Sequence, residues 1–151
     1  MGYENLLIQA EQQGLYIYEA CLRSRAKGLI KNNIIAINKN IQTSKEKACI
    51  LAEEIGHYHT AVGDFADQSK LENRKKERLG RAWAYERLIP LDRIIQAGQA
   101  GVEGRYAVAE YLEITEEFLQ ESIEHYQRKY GIHTMYQGYM IYFEPLSIIK
   151  L

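Results

Sequence analysis

Apolar positions fall at helical spacing in some stretches of the chain and at strand spacing in others. Leu6, Leu7 and Ala10, with Tyr3, predict a short helix over residues 3–13 that ends at Gly14. The run from Leu15 to Leu22 is rich in β-formers and predicts a strand. Gly28–Ile30 and Asn33–Ile37 predict two more, with Lys31-Asn32-Asn33 as the turn between them. At Thr43 the character changes. Thr43 with Glu46 fits a capping box, a hydroxyl that accepts from the first turn and a glutamate three residues on. Behind it Ala48, Cys49, Leu51, Ala52 and Ile55 predict a helix to about Tyr58, broken by Gly63 and Asp64. A second long helix is expected from near Lys70 to Leu88, before Pro90, with Leu79, Ala82, Trp83 and Leu88 as its buried face. A shorter helix follows at Leu91–Ala97, then a loop marked by Gly98, Gly101 and Gly104. Two further helices, Tyr106–Leu112 and Thr115–Tyr130, precede an aromatic tail from Thr134 to Phe143 that reads as a strand or hairpin.

No internal repeat and no long linker divides this pattern. The expectation is one domain over residues 1–151, of α+β class: mainly helical, with a small antiparallel sheet near the N-terminus and a C-terminal strand or hairpin. A chain of 151 residues is long enough to bury a core without staples. Cys21 and Cys49 make no disulfide framework and read as free thiols of a reducing cytoplasm. No apolar run is long enough to span a membrane, and the N-terminus lacks the pattern of a signal peptide, so the expected location is cytoplasmic.

The formal net charge is −1, which argues against blanket binding to phosphate backbones. That neutrality is a sum of unlike parts. Residues 23–47 and 70–93 are basic, whereas the helix pair over residues 105–130 is acidic. The acidic pair therefore reads as scaffold rather than a helix-turn-helix DNA reader, and no sequence-specific nucleic-acid binding is expected. The basic stretches read as solvated faces, or as a patch that steers an acidic partner.

The candidate chemistry lies in Leu51-Ala52-Glu53-Glu54-Ile55-Gly56-His57-Tyr58. Residues 53 and 57 are four apart and share a helix face, so both side chains could reach one cation from adjacent turns. The same logic underlies the His-Glu-x-x-His zinc motif, here with Glu53 at the first position. A solvated helix face gives the same pattern. The apolar crowding of the segment favours partnered charges, and Gly56, unfavourable inside a helix, marks a close approach of another backbone. His59 lies roughly 200° round from His57 on a helix, so it could join a site only if the helix ended at Tyr58. His125 reads as solvent-facing and His133 as a structural residue in a turn.

This segment, with Glu77-Arg78-Leu79-Gly80-Arg81-Ala82-Trp83-Ala84-Tyr85-Glu86-Arg87-Leu88-Ile89-Pro90, resembles the ImmA/IrrE family of metallopeptidases carried on phages and integrative elements. In the family's second helix, Gly80 stands where an alanine is usual and Trp83 where a phenylalanine is usual. The ending Tyr142-Phe143-Glu144-Pro145-Leu146 resembles a Gram-positive branch. The resemblance implies a zincin-like fold, His57 and Glu77 as metal ligands, Glu54 as general base, and Glu53 in place of the motif's first histidine. It implies Zn²⁺ as cofactor. The two carboxylates of Glu53 and Glu77 shift preference toward harder cations such as Mn²⁺, or leave the site without metal. The implied function is a metal-dependent endopeptidase of a mobile element, cleaving a partner helix-turn-helix repressor. The alternative, favoured by Glu53, is an inactive family member that binds the repressor without cutting it.

Overall fold

The first helix, α1 (Tyr3–Gln12), buries Leu6 and Ala10 and stops where Gly14 takes a φ of +84°, a left-handed turn that glycine makes without a Cβ clash. A computed structural model of the chain describes residues 2–23, 25–60 and 70–151, with residues 70–72 described by their backbone alone. The described residues group into two compact units, residues 1–84 and 85–151.

In the first unit the chain turns from α1 into β1 (Tyr16–Ala20), β2 (Gly28–Lys31) and β3 (Ile34–Asn38). Their order in the sheet is β1-β3-β2. β2 and β3 form the expected antiparallel hairpin, whose turn puts Asn32 at a φ of 56°. β1 joins the other side of β3 in parallel, from Tyr16 opposite Ile34 to Ala20 opposite Asn38, so the sheet is mixed. β3 therefore lies in the middle, and Ile35, Ala36, Ile37 and Asn38 are all buried, as a central strand covered on both faces requires.

Helix α2 (Ser44–Thr60) begins as its sequence indicates: the Glu46 N–H donates to Thr43 Oγ1 at 3.2 Å. It packs on α1, β2 and β3, and buries Ala48 through Ala52 with Ile55 and Gly56. It runs two residues past Tyr58, to Thr60, whose hydroxyl donates back to the Gly56 carbonyl at 2.7 Å. The break expected at Gly63 and Asp64 lies outside the described residues. Helix α3 (Lys70–Leu88) has the expected bounds and buries Leu88 as expected, but the rest of its buried face differs. Leu79 is 47% exposed, and Ala82 and Trp83 are only half-buried. Gly80, Ala84 and Tyr85 are buried alongside Leu88. The closest helix approach is made by the smallest residue, and Leu79, about 100° away round the helix, is left outside it.

The second unit starts within the last turn of α3 and continues through α4 (Leu91–Gln99), α5 (Arg105–Leu112) and α6 (Glu116–Tyr130). Gly98, expected in a loop, lies inside α4. The Ile148 side chain fills the space that a Cβ there would take, with its own Cβ 3.5 Å from that point. Thr115 caps α6 by accepting the Phe118 N–H at 3.0 Å. The tail is a three-stranded antiparallel sheet of β4 (His133–Tyr136), β5 (Tyr139–Phe143) and β6 (Leu146–Lys150). Its last strand goes beyond the expected hairpin. Leu112, Ile114, Leu119, Tyr126, Ile141 and Phe143 form the core, where the Tyr126 hydroxyl donates to the Ile89 carbonyl at 2.6 Å.

His125 is not solvent-facing. Its side chain is 15% exposed, lies beside the rings of Tyr85 and Tyr126, and brings Nε2 to 3.2 Å from Glu86 Oε2. The acidic helix supplies the setting, but α6 turns this position inward. His133 opens β4 rather than a turn, and its ring tilts against Tyr142 across the sheet. The fold is thus α+β and mainly helical, as the pattern predicts.

Candidate active site

The site is built on the crossing of α2 and α3 in the first unit. Gly56 of α2 faces the backbone of Gly80 on α3: a Cβ placed on Gly56 would fall onto the Gly80 carbonyl, 3.0 Å from its carbon. With no side chain at either position the two helices lie almost in backbone contact. His57 and Glu77 are each adjacent to that crossing in helical position, and their side chains meet, with His57 Nε2 3.2 Å from Glu77 Oε2. The other Glu77 oxygen faces Arg81 Nε at 3.5 Å, one turn along α3. Glu77 thus has one oxygen toward the imidazole and the other toward the guanidinium.

Glu54 lies on the next turn of the same helix. Burial, then the nearby carboxylates of Glu77 and Glu53, push its carboxyl up from 4.5 to about 7. Removing a charge from water and placing it near like charges both disfavour the ionised form. A carboxyl that titrates near neutrality can accept and return a proton, as a general base requires.

His57, Glu77 and Glu54 line one groove of about 900 Å³, together with Tyr58, Thr60, Asn73, Lys76 and residues 28–32. Strand β2 forms one wall. The Asn38 N–H donates to the Lys27 carbonyl at 2.8 Å, so Lys27 and Asn38 are a hydrogen-bonded pair. By alternation, Leu29 and Lys31 also face β3, and the peptide groups of Gly28 and Ile30 point to the outer edge. Gly28 lets this strand approach α2, since a Cβ there would lie 2.8 Å from Ile50 Cγ2 and 3.2 Å from Glu54 Cγ. Sequence reading did not assign β2, Tyr58, Asn73 or Lys76 to the site. The signal for β2 was Gly28, because a glycine inside a strand marks a close approach. Nothing in the spacing of Asn73 and Lys76 pointed there.

Glu53 is half-buried and acts on Glu54 through space, but it is not among the described residues that line the groove. Among the described residues, no three His, Cys, Asp or Glu side chains are grouped to hold a metal ion. His59 does not join the site. Because α2 continues to Thr60, His59 projects elsewhere, stacks on Trp83 with ring centroids 5.0 Å apart, and has Nε2 2.9 Å from Gln13 Oε1.

The donor set bears on whether a cation fits. A tetrahedral site with ligand distances of ~2.0–2.2 Å separates two donor atoms by roughly 3.4 Å. The 3.2 Å between His57 Nε2 and Glu77 Oε2 matches one edge of such a site. A borderline nitrogen donor and a hard oxygen donor suit Zn²⁺ or Mn²⁺. The pair therefore fits a divalent cation as two of its ligands.

A histidine and a glutamate from neighbouring helices, beside a carboxyl that titrates near neutrality, have the layout of a hydrolytic metal centre. The family comparison agrees. The chain belongs to the IrrE N-terminal-like domain family, a peptidase family designated M78, whose model matches residues 9–124. Searches of curated proteins and of solved structures returned no match. No helix among the described residues is long and apolar enough to cross a membrane.

Proposed function

We propose that this chain is a metal-dependent endopeptidase that cleaves a protein substrate, a helix-turn-helix repressor of the mobile element that carries it. The observation that supports this reading is the convergence of the His57–Glu77 pair and the raised Glu54 carboxyl on one groove walled by β2, an edge strand among the described residues. In this reading the chain works as one domain, since the family match, residues 9–124, runs from the first compact unit into the second. Its place of action is the cytoplasm, where a repressor would be.

His57 and Glu77 would hold the cation, Zn²⁺ or Mn²⁺. Glu53, one turn before His57 on α2, is the proposed third ligand. When bound, the cation would supply Lewis acidity, polarising the scissile carbonyl and making water easier to deprotonate. The outward peptide groups of Gly28 and Ile30 would hydrogen-bond an extended substrate segment as an added strand, fixing its register beside Glu54. Glu54 then takes the proton of the attacking water and returns it to the departing amide nitrogen. Arg81, 3.5 Å from the other Glu77 oxygen, would help hold Glu77 toward His57.

The test is incubation of the purified protein, supplied with Zn²⁺ or Mn²⁺, with the repressor encoded beside it. Wild type is expected to cut the repressor and Glu54→Gln to leave it whole. Equal cleavage by both, or none by either, refutes the enzyme reading.

One observation favours a second reading, a silent repressor-binding protein: Glu53 does not complete a donor triad with His57 and Glu77 among the described residues. Elemental analysis of protein purified without chelator separates the two. A stoichiometric metal favours the peptidase; no metal, and no change in thermal stability with EDTA, favours the binding protein.

A further inference from the structure

We infer that the outer face of the first sheet reads the substrate's side chains: a segment added to β2 is held best when an apolar residue falls opposite Leu29 and an acidic residue, two positions away, falls opposite Lys31. This rests on the strand-addition step of the proposed function and names the substrate class that step selects.

Gly28 shows which face of β2 is which. A Cβ there would lie against Ile50 and Glu54, so Gly28 and, by alternation, Ile30 face α2. Leu29 and Lys31 point the opposite way. Exposure along β2 alternates accordingly, half-buried at 28 and 30 and exposed at 29 and 31. Pairing carries the outer face across the sheet. Leu29 lies opposite Ala36, which lies opposite Tyr18; Lys31 lies opposite Ile34, which lies opposite Tyr16. Tyr16 and Tyr18 are 68% and 52% exposed, and Leu29 and Ile34 are 50% and 44% exposed. A sheet face that leaves four large apolar side chains in water marks an interaction surface.

Because β2 is an edge strand among the described residues, an added strand lengthens each row by one side chain. The residue that continues the Tyr18–Ala36–Leu29 row covers the open flank of Leu29, which favours an apolar side chain. The residue that continues the Tyr16–Ile34–Lys31 row meets an ammonium, and opposite charges across strands stabilise where like charges destabilise. Lys27, two residues to the other side of Leu29, places a second cation along the same strand, 3.0 Å from Glu46. The order is thus cation, apolar, cation, which an acid–apolar–acid segment matches in either chain direction. The positions between these face α2, where Glu54 and Glu77 line the groove and further carboxylates are disfavoured.

Binding is read on Glu54→Gln protein, so that no peptide is cut, by NMR shift titration with three synthetic peptides. The first is Thr-Glu-Thr-Leu-Thr-Glu-Thr, with both acids two positions from the leucine. The second, Thr-Thr-Glu-Leu-Glu-Thr-Thr, has the same composition with the acids turned to the other face. The third carries lysine in place of both glutamates of the first. At low salt the first should bind about fivefold or more tightly than either of the others, the scale of one to two cross-strand charge pairs. Its shifts should centre on residues 28–32. Lys31→Glu should cut the preference for the first peptide over the third by about fivefold.

Equal binding of the first and second peptides overturns the inference, since net charge alone then attracts them. An unchanged preference in Lys31→Glu overturns it as well, and so does absence of binding by the first peptide. The repressor incubation decides the peptidase separately. A protein that cuts the repressor without the peptide preference keeps the proposed function and loses this inference; one that cuts nothing and shows the preference sustains the inference and loses the peptidase.

Discussion

Glu54 offers a test that needs no substrate. Its carboxyl is pushed from 4.5 to about 7 in the folded protein, by burial first and by Glu77 and Glu53 after that. A group whose folded pKa lies above its unfolded value contributes stability that is complete below the unfolded pKa and is lost as pH rises through the folded one. In metal-free protein, stability should therefore fall between about pH 4.5 and 7. At 1.36 kcal/mol per unit, the full shift corresponds to roughly 3 kcal/mol, of which about 2 is lost between pH 5 and 7.5. Glu54→Gln keeps the size of the side chain and cannot ionise. Urea denaturation of EDTA-treated protein at those two pH values gives the stability of each form. Wild type should lose about 2 kcal/mol more than Glu54→Gln across that interval. Equal losses would show that Glu54 ionises normally and would remove the electrostatic argument for it as a base near neutrality. A larger loss in Glu54→Gln would reverse the sign and show that its carboxylate is stabilised in the groove.

Other outcomes follow from single contacts. Addition of Zn²⁺ or Mn²⁺ to stripped protein should raise the thermal midpoint, by the equivalent of about 2.7 kcal/mol at a hundredfold excess over Kd; the rise should vanish in His57→Ala. Thr115→Ala removes the cap that holds the Phe118 N–H and should cost about 1 kcal/mol by chemical denaturation. Tyr126→Phe leaves the Ile89 carbonyl without its 2.6 Å donor and should cost about 1–3 kcal/mol by the same assay.

Local patterns carried the elements well, because caps and helical spacing act within a few residues. Thr43 and Thr115 mark helix starts, and both hydroxyls accept as expected. The parallel pairing of β1 with β3 was not legible, since neither strand contains the information that β2 comes in from the far edge. Nor was the exposure of Leu79, because apolar size suggests which side of a helix is buried only when large residues make the closest contact. His125 was misread for a similar reason. Its acidic neighbours in sequence say little about Glu86, which meets it from α3.

The site was legible in part for a different reason. The spacing of Glu54 and His57 fixes their relation along one helix, and that much holds wherever the helix packs. The meeting of His57 with Glu77 depends on a second helix, and resemblance rather than spacing indicated it. The sequence did contain a physical trace of that meeting. Gly56 and Gly80 are both mid-helix glycines, each unfavourable by about 1 kcal/mol against alanine. In the structure the first lies against the second, and the second lies against the His57 ring. Gly28 brings β2 to Glu54 in the same way. Each of the three glycines gives up local stability where a chemical side chain needs a near neighbour. Glu53 is the expected ligand that is not among the described residues lining the groove. The placement of small residues thus separates the two carboxylates of α2: Gly28 lies against Glu54 and brings β2 to its side of the groove, whereas none of the described glycines has Glu53 among its nearest neighbours.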